Sequence, residues 1–184
     1  IYSPMKKKIV VLGFLGTNLD LGGKARWGRW RPTISLGQQD DLLVDRFELF
    51  YEKNFLDLAQ LVQKDFQQVS PETEFNLREV VLKDPWDFQT VYSGIFDNLK
   101  DYKFDTDNEE YLVHITTGTH VIQICLFLLT ESRHIPGKLL QTHMQKSRNP
   151  NGTYTIIDLD LSKYDKIAER FHQERKDGIR FLKS

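Results

Sequence analysis

Hydrophobic positions along this chain fall into short solid runs, separated by stretches in which they recur every three or four residues. The first run, Lys8-Ile9-Val10-Val11-Leu12-Gly13-Phe14-Leu15, is almost wholly apolar and ends at Gly16-Thr17. That is the pattern of a strand covered on both faces, and such strands belong to parallel sheets. A second run, Val44 to Tyr51, is followed by Leu58, Leu61, Val62, Phe66 and Val69 at helical spacing. This helix must stop near Ser70-Pro71, because proline pushes its predecessor out of helical geometry. Phe75 to Leu82 predicts a third strand. The helix after it has Asp84 to cap it, Pro85 in its first turn, Asp87 to complement its dipole, and Phe88, Val91, Tyr92, Ile95, Phe96 and Leu99 as its buried stripe.

After the polar loop Asp105 to Glu110, Tyr111 to Ile115 predicts a fourth strand, ending in Thr116-Thr117-Gly118-Thr119-His120. Val121 to Leu129 is apolar nearly all round, which predicts cover on two sides, one from the sheet and the other from a second subunit. Lys138 to Gln145 and Thr153 to Leu161 predict strands joined through Arg148-Asn149-Pro150-Asn151-Gly152, whose Asn-Gly step favours a hairpin. A last helix begins near Ser162, with Tyr164, Ile167, Ala168, Phe171, Ile179 and Leu182 along one face, and meets no stop signal, as though the chain continued. Strands alternating with helices give an α/β fold: a Rossmann-like, largely parallel sheet flanked by helices, with an antiparallel C-terminal edge hairpin. In the order 3-2-1-4, strands one and four meet at the topological switch point, and their loops line one crevice.

Composition narrows the reading. The 184 residues make one domain, 40% hydrophobic and 28% charged, with a net charge of −1; no global field draws in nucleic acid, so an anion site must be a local concentration of charge. The single cysteine, Cys125, excludes an internal disulfide and a cysteine-based zinc site, and fits a reducing cytoplasm. No apolar run is long enough to span a membrane. Residues 1 to 4 read as an expression scar before a natural start at Met5, leaving 5 to 184 as the domain.

Two loops carry candidate chemistry. After strand four, Thr116, Thr117 and Thr119 supply hydroxyls, Gly118 permits close backbone approach and the next helix presents its positive end, a combination suited to phosphate. A plain strand-to-helix turn with threonine caps is the competing reading. After strand one, Leu21 to Arg31 holds Lys24, Arg26, Arg29 and Arg31 with Trp27 and Trp30 and no acid, a charge of +4. Arginine grips phosphate through a planar fork and indoles stack on bases, so Arg26, Trp27 and Arg31 suit a nucleotide; a solvated basic loop with its indoles in the core is the alternative. Known nucleotide fingerprints fail: Gly13-Phe14-Leu15-Gly16 lacks the G-x-G-x-x-G spacing, and Gly22-Gly23-Lys24 is preceded by Asn18 and followed by Ala25 where a P-loop needs glycine and a hydroxyl. His114 and His120 flank the threonine loop without an obvious third metal ligand, and His120 is the better placed to touch a ligand or act as acid or base. Nothing resembles a Ser/His/Asp set or a glycosidase carboxylate pair.

Gly13-Phe14-Leu15-Gly16-Thr17, Arg26-Trp27-Gly28-Arg29-Trp30-Arg31-Pro32-Thr33, Asp84-Pro85-Trp86-Asp87-Phe88, His114-Ile115-Thr116-Thr117-Gly118-Thr119-His120 and Ile156-Ile157-Asp158-Leu159-Asp160-Leu161-Ser162 resemble the N-terminal sensor domain of the RtcR family of bacterial RNA-repair transcriptional regulators. The resemblance covers the chain from Met5 onward. It implies a CARF (CRISPR-associated Rossmann-fold) domain, a homodimer, and a groove across the dimer axis for oligoadenylate or RNA. It also implies sensing of RNA ends, with a 2′,3′-cyclic phosphate as a candidate end. In the family an AAA+ ATPase, acting on an alternative sigma factor, and a helix-turn-helix DNA-binding domain follow the sensor. The resemblance places the groove at Gly16 and Thr17 and at Thr117, Gly118, Thr119 and His120. Many CARF domains carry a second glycine where this chain has Thr117, and a side chain there is expected to narrow the approach. Neither a cofactor nor a metal is implied. The first expectation is a non-enzymatic sensor; a CARF nuclease that cleaves its own oligoadenylate is the second, and a dehydrogenase-like Rossmann enzyme a distant third.

Overall fold

A computed structural model of the chain describes residues 5–145 and 149–159, with residues 173, 176 and 177. Six strands form one sheet in the order β3-β2-β1-β4-β5-β6. They are β1 (Lys8–Phe14), β2 (Arg46–Tyr51), β3 (Glu74–Glu79), β4 (Glu109–His114), β5 (Gly137–Gln145) and β6 (Asn149–Ile157). All neighbours pair in parallel except β5 and β6, so the expected 3-2-1-4 order and antiparallel edge are both present.

The period-2 alternation of each strand sends its side chains into two separate cores. Leu12, Phe14, Phe50, Val113 and Leu139 pack under α3 (Phe88–Leu99) and α4 (His120–Glu131). Val11, Leu15, Phe47, Leu49, Leu112 and Leu140 pack under α1 (Pro32–Gly37) and α2 (Leu56–Val69). Strands covered on both faces explain why β1 and β4 read as solid apolar runs. Cys125 is buried on α4, its thiol directed at the Phe88 carbonyl 3.9 Å away, and burial pushes that thiol up to about 11.

Several details differ from the sequence reading. The cap of α3 is Asp87, which accepts a hydrogen bond from the Thr90 amide at 2.9 Å, while Asp84 closes a preceding turn by accepting from the Trp86 amide. The short helix α1 was not expected; Pro32 opens it at the position where a missing N–H costs nothing. The Asn151-Gly152 step is not the hairpin turn. It lies within β6, where the register between His143↔Thr153 and Gln145↔Asn149 is interrupted and Gly152 takes φ +73°. The turn itself and the expected helix beyond Ser162 lie outside the described residues, apart from three isolated positions. One side of α4 is covered as expected by the sheet, whereas Ile124 and Phe127 are 48% and 40% exposed.

Candidate functional site

The switch point lies where β1 and β4 run side by side, with Gly13 opposite His114. Beyond their carboxyl ends a cleft of about 180 Å³ opens, walled by Thr17, Tyr51, Glu52, Phe55, Trp86, Gly118 and Thr119. The β4–α4 turn owes its shape to its own hydroxyls. Thr116 Oγ1 accepts from the Thr142 amide at 2.8 Å, and Thr117 Oγ1 donates to the Phe14 carbonyl. Thr119 Oγ1 donates to the Pro85 carbonyl at 3.0 Å and accepts from the Ile122 amide at 3.2 Å, capping α4 and tying it to the entry of α3. Gly118 has φ +89°, a conformation other residues rarely adopt. With these hydroxyls engaged internally, the turn offers the cleft backbone groups and the positive end of α4.

The β1 loop is set by Asp20. Its carboxylate accepts from the Gly16 amide at 2.9 Å, the Thr33 amide at 3.0 Å and Thr33 Oγ1 at 2.6 Å. Burial pushes this carboxyl above its usual range, against the hydrogen bonds from Thr33 and Gly16. A Cβ on Gly16 would stand 2.9 Å from both Asp20 Oδ2 and Thr117 Cγ2, so the two loops meet with no room to spare. Thr117 is fully buried against this junction and does not line the cleft, so its side chain does not narrow the approach as expected.

His114 is fully buried beneath the loops. Its Nε2 pairs with Thr142 Oγ1 at 2.9 Å, Nδ1 has no partner, and desolvation drops it to about 3, leaving a neutral imidazole. His120 is exposed at the rim, its ring 5.4 Å from that of Trp86. Among the described residues no cluster of three His, Cys, Asp or Glu could hold a metal ion.

The basic loop is organised from within. Arg26 Nε and Arg31 Nη1 both donate to Asp65 Oδ2, at 2.7 and 2.8 Å. Burial would raise the Asp65 carboxyl, but hydrogen bonds from Arg26 and Arg31 outweigh it and hold the group below its usual range. Arg31 is only 2% exposed. The two guanidinium carbons sit 4.8 Å (Arg31) and 5.9 Å (Arg26) from the Trp27 ring centroid, so the pair props up an indole that is still 41% exposed.

Of the residues singled out from sequence, Thr17, Gly118 and Thr119 line the cleft, Gly16, Thr116 and Thr117 frame it, and His120 stands at its rim. Arg26 and Arg31 face Asp65, and Trp27 lines a separate pocket. Sequence reasoning passed over Glu52, Phe55, Asp20 and Asp65. Asp65 carried a signal: it falls on the same stripe of α2 as Val62, Phe66 and Val69, where an acid must find a cationic partner.

Residues 7–184 match the family model for RtcR, regulator of RNA terminal phosphate cyclase. The chain belongs to the RtcR family. The transcriptional regulatory protein RtcR of Escherichia coli strain K12 is 47% identical over 183 residues, which is 97% of this chain and 34% of that protein, so the RtcR-family chain spans about a third of its relative's length. Among solved structures, Csm6 of Enterococcus italicus bound to cyclic hexa-2′-fluoro-hexa-dAMP aligns with a TM-score of 0.62 at 15% identity, over 96% of this chain and 47% of that one. Protein VC1899 of Vibrio cholerae aligns at 0.50 and 9%, over 82% and 36%. At such identities the likeness is one of fold, the Rossmann-like, largely parallel sheet flanked by helices expected from the sequence.

Proposed function

We propose that this chain is the ligand-sensing domain of a sigma-factor-dependent activator of RNA repair, acting in the cytoplasm without catalysis and binding an RNA end or short oligoadenylate in the β1/β4 cleft. The observation that carries it is the cleft itself: Gly118 at positive φ and the N-terminus of α4 face the Thr17 loop at the switch point of an RtcR-family chain. Backbone amides there would hold a terminal phosphate. Glu52, in the opposite wall and carrying a carboxyl that burial pushes up, would accept from a sugar hydroxyl or a base amine. Csm6, of like fold, was solved with a cyclic adenylate analogue, which supports a nucleotide ligand of this kind.

The groove of the proposed sensor is completed by a second copy of the chain, packed through the outer face of α3 and α4 where Phe88, Phe96, Ile124 and Phe127 are exposed. In the longer protein, ligand binding would relieve or reorganise the AAA+ segment that, with a DNA-binding domain, follows the sensor in the family. Titration with short RNAs ending in hydroxyl, phosphate or 2′,3′-cyclic phosphate, alongside cyclic oligoadenylates, tests the reading. Saturable binding of at least one, weakening as salt rises, is expected; no saturable binding of any overturns it. The second reading, a nuclease that cleaves its oligoadenylate, is favoured only by the exposed His120 imidazole at the rim. Prolonged incubation of ligand with the protein and a chelator, with products resolved by chromatography, separates the two.

A further inference from the structure

A second pocket, of about 580 Å³, opens at the carboxyl end of β5 and is walled by Trp27, Arg29, Trp30, Met144, Gln145 and Pro150. We propose that it is a subsite for an unpaired base of single-stranded RNA whose end lies in the cleft, with Trp27 as the stacking platform and Arg29 as the phosphate contact. The inference rests on the cleft reading above and extends it from the end of the strand to its body.

Four observations carry it. First, among the described residues no Asp or Glu lines the pocket. Second, the division of the arginines is uneven: Asp65 neutralises Arg26 and Arg31, whereas among the described residues Arg29 meets the Gly22 carbonyl, at 2.9 Å, and no carboxylate. Third, Trp27 is preorganised. It is held against two guanidinium groups that are themselves fixed on a buried carboxylate, yet much of its ring remains in solvent. A rigid exposed indole beside a guanidinium is what base stacking and phosphate binding require, and stacking tolerates any base. Fourth, the wall opposite is built to keep Trp30 in place. A Cβ on Gly152 would stand 2.5 Å from Trp30 Nε1, so the glycine at φ +73° in the β6 irregularity leaves the indole its room. Ser35 Oγ and Gln39 Nε2 fasten α1 to the Asn151 carbonyl beside it.

Position agrees with the chemistry. β5 runs parallel to β1 and lies two strands, roughly 10 Å, from it, so the pocket and the cleft both open beyond the carboxyl ends of the parallel strands. A strand anchored by its end in the cleft would pass this edge.

The test compares a mononucleotide, adenosine 2′,3′-cyclic phosphate, with a single-stranded hexamer bearing the same end, on the chain and its Trp27→Ala, Trp27→Phe and Arg29→Gln variants. The wild-type chain should bind the hexamer more tightly. Trp27→Ala should lose about tenfold on the hexamer, the scale of one base–aromatic stack, and nothing on the mononucleotide. Trp27→Phe should recover most of the loss, and Arg29→Gln should reduce the salt dependence of hexamer binding by about one phosphate contact. Melting curves establish that the variants are folded. Equal wild-type affinity for both ligands, or unchanged hexamer affinity in folded Trp27→Ala, overturns the subsite and leaves the cleft reading standing. Failure of the wild-type chain to bind either ligand overturns the subsite and, when no other RNA end or cyclic oligoadenylate binds in the wider titration either, the cleft reading as well.

Discussion

Asp65 does more for the basic loop than any cation within it. Replacing it by Ala would leave Arg31 buried without a counter-charge, and the expected cost is about 3 to 5 kcal/mol, read from the urea midpoint. The pH dependence has a definite sign. Because the folded Asp65 is held below the ordinary value of 3.8, its contribution is complete above that value and is lost as pH falls through the lower, folded one. His114 acts in a different window. Its folded value of about 3 lies under the ordinary 6.5, so the unfolded chain takes up the extra proton and stability declines as pH drops from about 6.5 toward 3. The slope expected from this one group is about 1.4 kcal/mol per pH unit, and a His114→Gln variant should flatten it in acid denaturation curves. A His114 ring signal that titrates between pH 6 and 7 in nuclear magnetic resonance would contradict the buried neutral state. At this scale the sequence was only half legible. The +4 charge of Leu21 to Arg31 can be counted in one dimension, but which of its arginines are taken up by Asp65, Arg26 and Arg31 and not Arg29, depends on a helix that comes 25 residues or more later.

Helix caps give the predictions at the scale of elements. Thr119 both caps α4 and binds the Pro85 carbonyl, so Thr119→Val should lower stability by about 1 kcal/mol and also weaken ligand binding, while Thr119→Ser should restore both. Asp87→Ala should loosen the start of α3 and leave binding unchanged, and parallel melting and titration of the two variants tells cap loss from site loss. The solid apolar runs revealed the central strands because local pattern and tertiary burial agree there; the Phe88 to Leu99 periodicity revealed α3, but of its expected buried stripe only Val91, Ile95 and Leu99 are buried, while Phe88 and Phe96 face outward. Two acids three residues apart, Asp84 and Asp87, both fit a cap, and only the register of α3 decides between them. The Asn-Gly signal failed for a comparable reason: a left-handed glycine serves a strand irregularity as well as a turn, and contact with Trp30 decides which it is.

For the molecule as a whole, strand order was legible because alternating strands and helices, right-handed crossovers and one antiparallel return leave few alternatives. The net charge of −1 conceals a local separation, with a pocket at the carboxyl edge of the sheet that no acid among the described residues lines, and ion pairs such as Arg46–Glu109 and Arg78–Glu48 elsewhere. The proposed second copy on the α3/α4 face is tested by Phe127→Asp, which should shift sedimentation toward the monomer and weaken ligand binding together. The thiol of Cys125, beneath that face, supplies a clock for it. A cysteine so protonated and enclosed should react with an alkylating reagent only when α3 and α4 part, so the rate of modification times the breathing of the helix pair, and dimer formation or ligand should slow it.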